Sequence, residues 1–266
     1  MRVLLRSDEG YLVANGSGVG LAERTGDSGV WCWEGGGILV NALESGTVVK
    51  GAAALEGTDF TEPVLCELSQ GTFVAEPAPD KLPSECLRCL RECGHCQFER
   101  VISPAAIDTI KKLVHATLDA AGIGDNLRPT KSSSLDYLER SALFYQMHFH
   151  PVVMWVLENF FGSPWIRAAH PPVPRVAEPG SGPGDWHNDT PYQQLMQRGY
   201  DAYSMPFPNL PLGVQANVCV DDYYDANGGT MYATAICHAT PHSCAIDNHL
   251  YLPMTRALFV KIRWLL

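Results

Sequence analysis

His187 and Asp189 stand one residue apart in the stretch Gly180-Ser181-Gly182-Pro183-Gly184-Asp185-Trp186-His187-Asn188-Asp189-Thr190-Pro191-Tyr192. Side chains alternate faces along a β-strand, so the imidazole and the carboxylate point one way and Asn188 the other. The two can then reach one metal ion. A further histidine from a distant strand would complete a facial triad, leaving positions open on Fe(II) for a bidentate co-substrate and dioxygen. His-x-Asp pairs also occur on surfaces that bind nothing, so the pair gains meaning only from the rest of the chain.

A second cluster is sulfur. Cys86, Cys89, Cys93 and Cys96 form two Cys-x-x-Cys pairs, with His95 beside the last. Zinc-binding pairs are normally set about a dozen or more residues apart so that the chain can turn back. Here three residues intervene, and the spacing also departs from that of ferredoxins. The expectation is a short helix from Pro83 to Glu92 carrying cysteines on its apolar side, closed by Gly94, with a strand from His95 to Val101. A zinc or iron–sulfur module on these four cysteines is the rival. His148 and His150 alternate as well, but Pro151 follows directly and makes a loop or helix start the simpler reading.

The bulk properties bound the function. The 266 residues suffice for one large domain, or a mid-sized one with a small companion. A net charge of −10 argues against a nucleic-acid surface. No apolar run approaches the length of a membrane span. The first residues, Met1 to Asp8, do not read as a signal peptide. Nine cysteines without such a signal suggest reduced thiols and a cytoplasmic location.

The elements that must position these residues fall into two patterns. Up to about residue 75 the chain reads as short strands between turns. Tyr11–Ala14 and Val19–Ala22 flank Asn15-Gly16 as a hairpin. Val30–Trp33, Ile38–Val40, Thr47–Val49 and Thr72–Val74 follow. The phrases at Tyr11–Leu21 and Ile38–Val49 each resemble a β-trefoil repeat of the fascin kind. This chain length suits only a small β-domain or a fragment of one, which would contact a protein partner or support the main domain. Glu76 to Pro83 is a linker by composition, dividing residues 1–79 from 80–266. The small domain is expected to make few contacts with the rest.

Beyond it the pattern changes. Ser103-Pro104 opens a helix with Ile107, Ile110, Val114 and Leu118 on one face, ending near Gly122 and leaving His115 at the surface. Ser132–Tyr145 reads as a helix with Leu135, Leu138, Ala142 and Tyr145 inward. Pro151–Phe161, nearly all apolar and stopped by Gly162, should be a buried helix. From Ala168 on, strands and loops alternate, and Leu258–Trp264 reads as a terminal strand.

Around Trp186-His187-Asn188-Asp189-Thr190-Pro191-Tyr192 the chain resembles the phytanoyl-CoA dioxygenase family of Fe(II)- and 2-oxoglutarate-dependent oxygenases. The likeness extends, in the family's order, over about residues 84–235. It takes in the Gly94 turn and its strand, Ile102-Ser103-Pro104, and His150-Pro151 through Gly162-Ser163-Pro164. It continues through Leu212–Asp222 and Asn227-Gly228-Gly229-Thr230-Met231-Tyr232. The resemblance implies a mainly β fold with flanking helices, a partial double-stranded β-helix (jelly-roll or cupin-like), preceded by the small all-β domain. It also implies His187 and Asp189 as iron ligands, with 2-oxoglutarate as co-substrate.

After Tyr232 the likeness stops. The family's Pro-Gly-Ser-His is replaced by Ala235-Ile236-Cys237-His238. The distal histidine and the arginine that grips the co-substrate have no clear counterpart; His242 and His249, with Arg256 or Arg263, are the nearest substitutes. The domain is therefore expected to be divergent or cut short before its last strands, and its activity is open. The implied reaction is hydroxylation of an organic small molecule. Tyr192 and Gln215 are candidates to line its pocket, or else ordinary sheet residues. The alternative is a non-catalytic binding protein whose N-terminal β-domain does the work.

Overall fold

A computed structural model of the chain describes residues 1–58, 60–99, 101–120, 141–167, 213–222 and 257–262. Eight antiparallel strands occupy its first part: β1 (Arg2–Ser7), β2 (Gly10–Ala14), β3 (Val19–Ala22), β4 (Trp31–Gly35), β5 (Ile38–Asn41), β6 (Val48–Lys50), β7 (Val64–Leu68) and β8 (Gly71–Pro77). The hairpin at Asn15-Gly16 forms as the turn residues predict, with Ala14 opposite Val19. β1 and β7 are strands that composition alone did not mark.

β1 organises this sheet. Its first residues pair with β4, its last with β2, and its middle with β8, so the sheet curls around it. Val3, Leu4 and Leu5 are all fully buried, which an all-apolar run between two packed layers requires. Val3 and Leu5 enter a core with Leu12, Trp31, Leu39, Val49, Leu55, Phe73 and Ala75. The buried Trp31 indole donates to the Leu12 carbonyl at 2.9 Å, so its polar edge is satisfied. Leu4 faces the other way, with Tyr11 and Val30, into a second core.

Four helices follow: α1 (Pro83–Cys93), α2 (Pro104–Ala120), α3 (Ala142–His148) and α4 (Pro151–Phe161). Three further strands, β9 (His95–Glu99), β10 (Val214–Val218) and β11 (Ala257–Ile262), form a separate sheet in the order β10-β11-β9. α1 ends as expected at Gly94, in the left-handed conformation with φ 76°. α4 ends the same way at Gly162, with φ 65°. Ser103 Oγ accepts from the Ala106 amide at 3.2 Å at the start of α2. The described fold is thus mainly β, with a curled antiparallel sheet and a few helices. None of the described helices is long and apolar enough to cross a membrane.

Two expectations are corrected. A helix does not run through Ser141, whose backbone is extended (φ −157°, ψ 135°). Its side chain accepts from the Leu143 amide, so Ser141 starts α3 rather than continuing an earlier helix. Phe144 is the buried residue there, and Tyr145 is 58 % exposed. Leu135 and Leu138 lie outside the described residues.

The second correction concerns packing. Residues 1–75 do not stand apart, because Leu4, Tyr11 and Val30 share one core with Cys86, Leu90, Phe98, Val152, Val153 and Val156 of α1, β9 and α4. Polar contacts reinforce this. Asp27 Oδ1 accepts from the Ser84 amide at 2.8 Å, satisfying a free N–H in the first turn of α1. Arg24 forms an ion pair with Glu158 of α4, and Gly26 lies directly against the Trp155 indole. The linker composition marks where strand pairing stops, but packing continues across it.

Candidate functional site

Among the described strands, β10 of the three-stranded sheet lies nearest in sequence to the His-x-Asp motif. Gly94 turns the chain out of α1 into β9, and β11 inserts between β9 and β10. Cys96 and Phe98 of β9 are buried beneath α1, and Val214 and Val218 of β10 pack against the same core. The other face bears His95 and Gln97 from β9 and Gln215 and Asn217 from β10, by strand alternation. Gln215 Nε2 donates to Asn217 Oδ1 at 3.0 Å. Gln215 Oε1 is enclosed without a hydrogen-bond partner among the described residues.

α2 braces the far end of β10. Val220 packs against Ile110, Val114 and Phe144, and Lys111 forms an ion pair with Asp221. His115 is exposed, as the sequence suggests. His150 is the residue before α4, as the following proline implies, but it is buried to 8 % exposure. Its ring Nδ1 has no partner among the described residues. Burial lowers its pKa to about 4, against a smaller upward pull from a hydrogen bond with the Val101 backbone. His150 is therefore a neutral core imidazole near pH 7.

The cysteines distribute as the short spacer predicts. Cys86, Cys89 and Cys93 lie on α1 and Cys96 on β9. Cys86 and Cys96 are buried, Cys89 is half-buried and Cys93 is exposed. A hydrogen bond with Cys86, then burial, pushes the Cys96 thiol pKa far up, so it is an uncharged thiol. Among the described residues no group of three or more His, Cys, Asp or Glu side chains is placed to hold a metal ion.

The predicted iron ligands His187 and Asp189 lie outside the described residues, as do Tyr192, His242, His249, Arg256 and Arg263. Their chemistry, one imidazole and one carboxylate, is a donor set that suits a first-row divalent metal such as Fe(II). Of the two pocket candidates Gln215 is described, and it lies on the polar face of the sheet. Sequence reasoning missed its partner Asn217, although the same alternation that selects Gln215 also selects the residue two positions on.

A family model for phytanoyl-CoA dioxygenase (PhyH) matches residues 90–234. No curated protein and no solved structure gives a significant match. The matched segment runs from the end of α1 through β9, α2, α4 and β10, and it includes His187, Asp189 and Gln215. It covers more than half of the 266 residues, and the chain belongs to the phytanoyl-CoA dioxygenase family.

Proposed function

We propose that this chain is an Fe(II)- and 2-oxoglutarate-dependent oxygenase acting on an organic small molecule. The observation that carries the reading is the family match over residues 90–234, which spans the His187-Asn188-Asp189 motif. In this reading His187 supplies an imidazole nitrogen and Asp189 a carboxylate oxygen to iron, from one face of one strand. The family's third-ligand position has no clear counterpart in this chain, and His249, or else His242, is the nearest substitute for it. When bound, iron and 2-oxoglutarate together provide hydroxylation of an unactivated C–H bond coupled to decarboxylation of the co-substrate. The chain contributes ligand geometry and a dry, shaped pocket, and no acid–base group is needed for that chemistry.

The fold proposed with it is a double-stranded β-helix, of which β9, β10 and β11 are part, over residues 80–266. Residues 1–79 then support it through the core that Leu4, Tyr11 and Val30 share with α1 and α4. A reducing, cytoplasmic location fits the free thiols of all seven described cysteines.

Anaerobic titration with Fe(II) and 2-oxoglutarate tests the assignment. A stoichiometric metal-to-ligand charge-transfer band is expected, abolished by His187→Ala and by Asp189→Ala. Loss of the band in His249→Ala, with retention in His242→Ala, would assign the third ligand. No band in the wild-type chain overturns the proposal.

A further inference from the structure

Two cysteines from different elements touch where α1 lies on β9. Cys86 and Cys96 are 0 % and 3 % exposed in one shared core. The Cys86 thiol lies 3.9 Å from the carbonyl of Gln97, the residue after Cys96, and Cys96 shares a hydrogen bond with Cys86. Cys89 stands about one turn after Cys86 on α1. It packs against the same core but is only half-buried, and it is close enough to Cys96 to interact with it electrostatically.

Apolar packing accounts for each of these residues singly, since a buried thiol behaves as a small hydrophobic group. It does not require two thiols to touch, with a third beside them that solvent can reach. Thiol–disulfide exchange does require that arrangement: an accessible sulfur to receive the oxidant and a resolving sulfur within reach. The hydrogen bond with Cys86, and then burial, keep Cys96 uncharged. A core thiol of this kind reacts poorly with anything in solution, so oxidation has to be handed to it by a neighbour.

We propose that α1 and β9 form a redox-sensitive clasp, in which Cys89 takes up oxidation from a small-molecule disulfide and passes it on to a Cys86–Cys96 disulfide. The Cys89 thiolate attacks the small disulfide, forming a mixed disulfide and releasing one small thiolate. Cys96 attacks the Cys89 sulfur, forming a Cys89–Cys96 bond and expelling the second small thiolate. Cys86 then attacks the Cys96 sulfur and frees Cys89. The small disulfide is reduced to two thiols, which carry the two protons given up by Cys86 and Cys96. The closed clasp ties α1 to the strand that pairs with β11, so it stiffens the family domain when conditions turn oxidising and leaves it open in a reducing cytoplasm. None of this rests on the oxygenase reading.

The test incubates the full chain carrying Cys93→Ser, which removes the exposed fourth thiol, with oxidised glutathione. Free thiols are then blocked and the disulfides are mapped by mass spectrometry of tryptic peptides. Cleavage after Arg88 and Arg91 puts Cys86, Cys89 and Cys96 on three different peptides, so each pairing has its own mass. A cross-link between peptides 82–88 and 92–100 is expected, lost on treatment with dithiothreitol. Its formation should slow about tenfold or more when Cys89→Ser is added.

The melting temperature reads the clasp independently. Oxidation should raise it by about 3–8 °C, because the bond constrains the unfolded chain. Dithiothreitol should reverse the rise, and Cys86→Ala and Cys96→Ala should each abolish it. Absence of the cross-link overturns the proposal, as does its formation at an unchanged rate without Cys89. A melting temperature that stays level or falls on oxidation also overturns it, since the bond would then form only at the expense of the core.

Discussion

Acidification should unfold this protein in part through one residue, His150. Its ring is enclosed at the start of α4, with the apolar Val152 and Val153 following and the Val101 backbone beside it. The folded state holds its pKa at about 4, against 6.5 for a free imidazole. Because the folded pKa is depressed, the unfolded chain binds more protons between these values. The neutral ring therefore contributes its full stability above about pH 6.5, and that contribution is lost as pH falls toward 4. The 2.5-unit difference (6.5 − 4) corresponds to about 3 kcal/mol.

The assay compares urea denaturation of wild-type protein and His150→Gln at several pH values from 7.5 to 4.5. Glutamine keeps a polar side chain for the Val101 backbone but does not titrate. Every carboxylate contributes equally to both proteins, so the difference in stability isolates the imidazole. At pH 7.5 the variant should be less stable by about 1–2 kcal/mol through altered packing. Toward pH 4.5 the two curves should converge and then cross. Parallel curves over the whole range would refute the argument that a neutral, buried His150 underlies the acid sensitivity.

Three further outcomes follow from the same packing. In Gly26→Ala a new methyl group would overlap the five–six ring junction of the Trp155 indole. The indole must move, costing about 1–3 kcal/mol; urea denaturation and a shift in tryptophan emission report it. Asp27→Ala leaves the Ser84 amide, now bonded at 2.8 Å, without its acceptor. A loss of about 1 kcal/mol is expected, with Asp27→Asn retaining most of the stability because its carbonyl can still accept. Arg24→Met removes the cation facing Glu158. A half-buried carboxylate then loses its partner, and the variant should regain stability when Glu158 is also changed to Gln, as a double-mutant cycle would show.

Much of this protein was legible in the sequence because the relevant signals are local. Pro83 and Gly94 bracket α1, Pro151 and Gly162 bracket α4, and Ser103-Pro104 opens α2, each through backbone conformations that those residues favour. Asn15-Gly16 set the β2–β3 hairpin for the same reason. The ordered motifs through His187, Asp189 and Gln215 identified the family, since chemistry fixes residue types at fixed spacing.

What the sequence could not disclose is what meets across distance. Leu4 and Leu5 are adjacent and equally apolar, yet they enter different cores, because β1 lies between two packed layers. The Pro-rich linker suggested separation, but Asp27 binds Ser84 and Gly26 receives Trp155 across it. His150 looked like a helix-start residue and is one, but its neutrality comes from the burial that folding imposes. Gln215 likewise stands in an ordinary strand by pattern. Its side chain has an enclosed oxygen without a partner among the described residues, and enclosure is a property of the assembled chain.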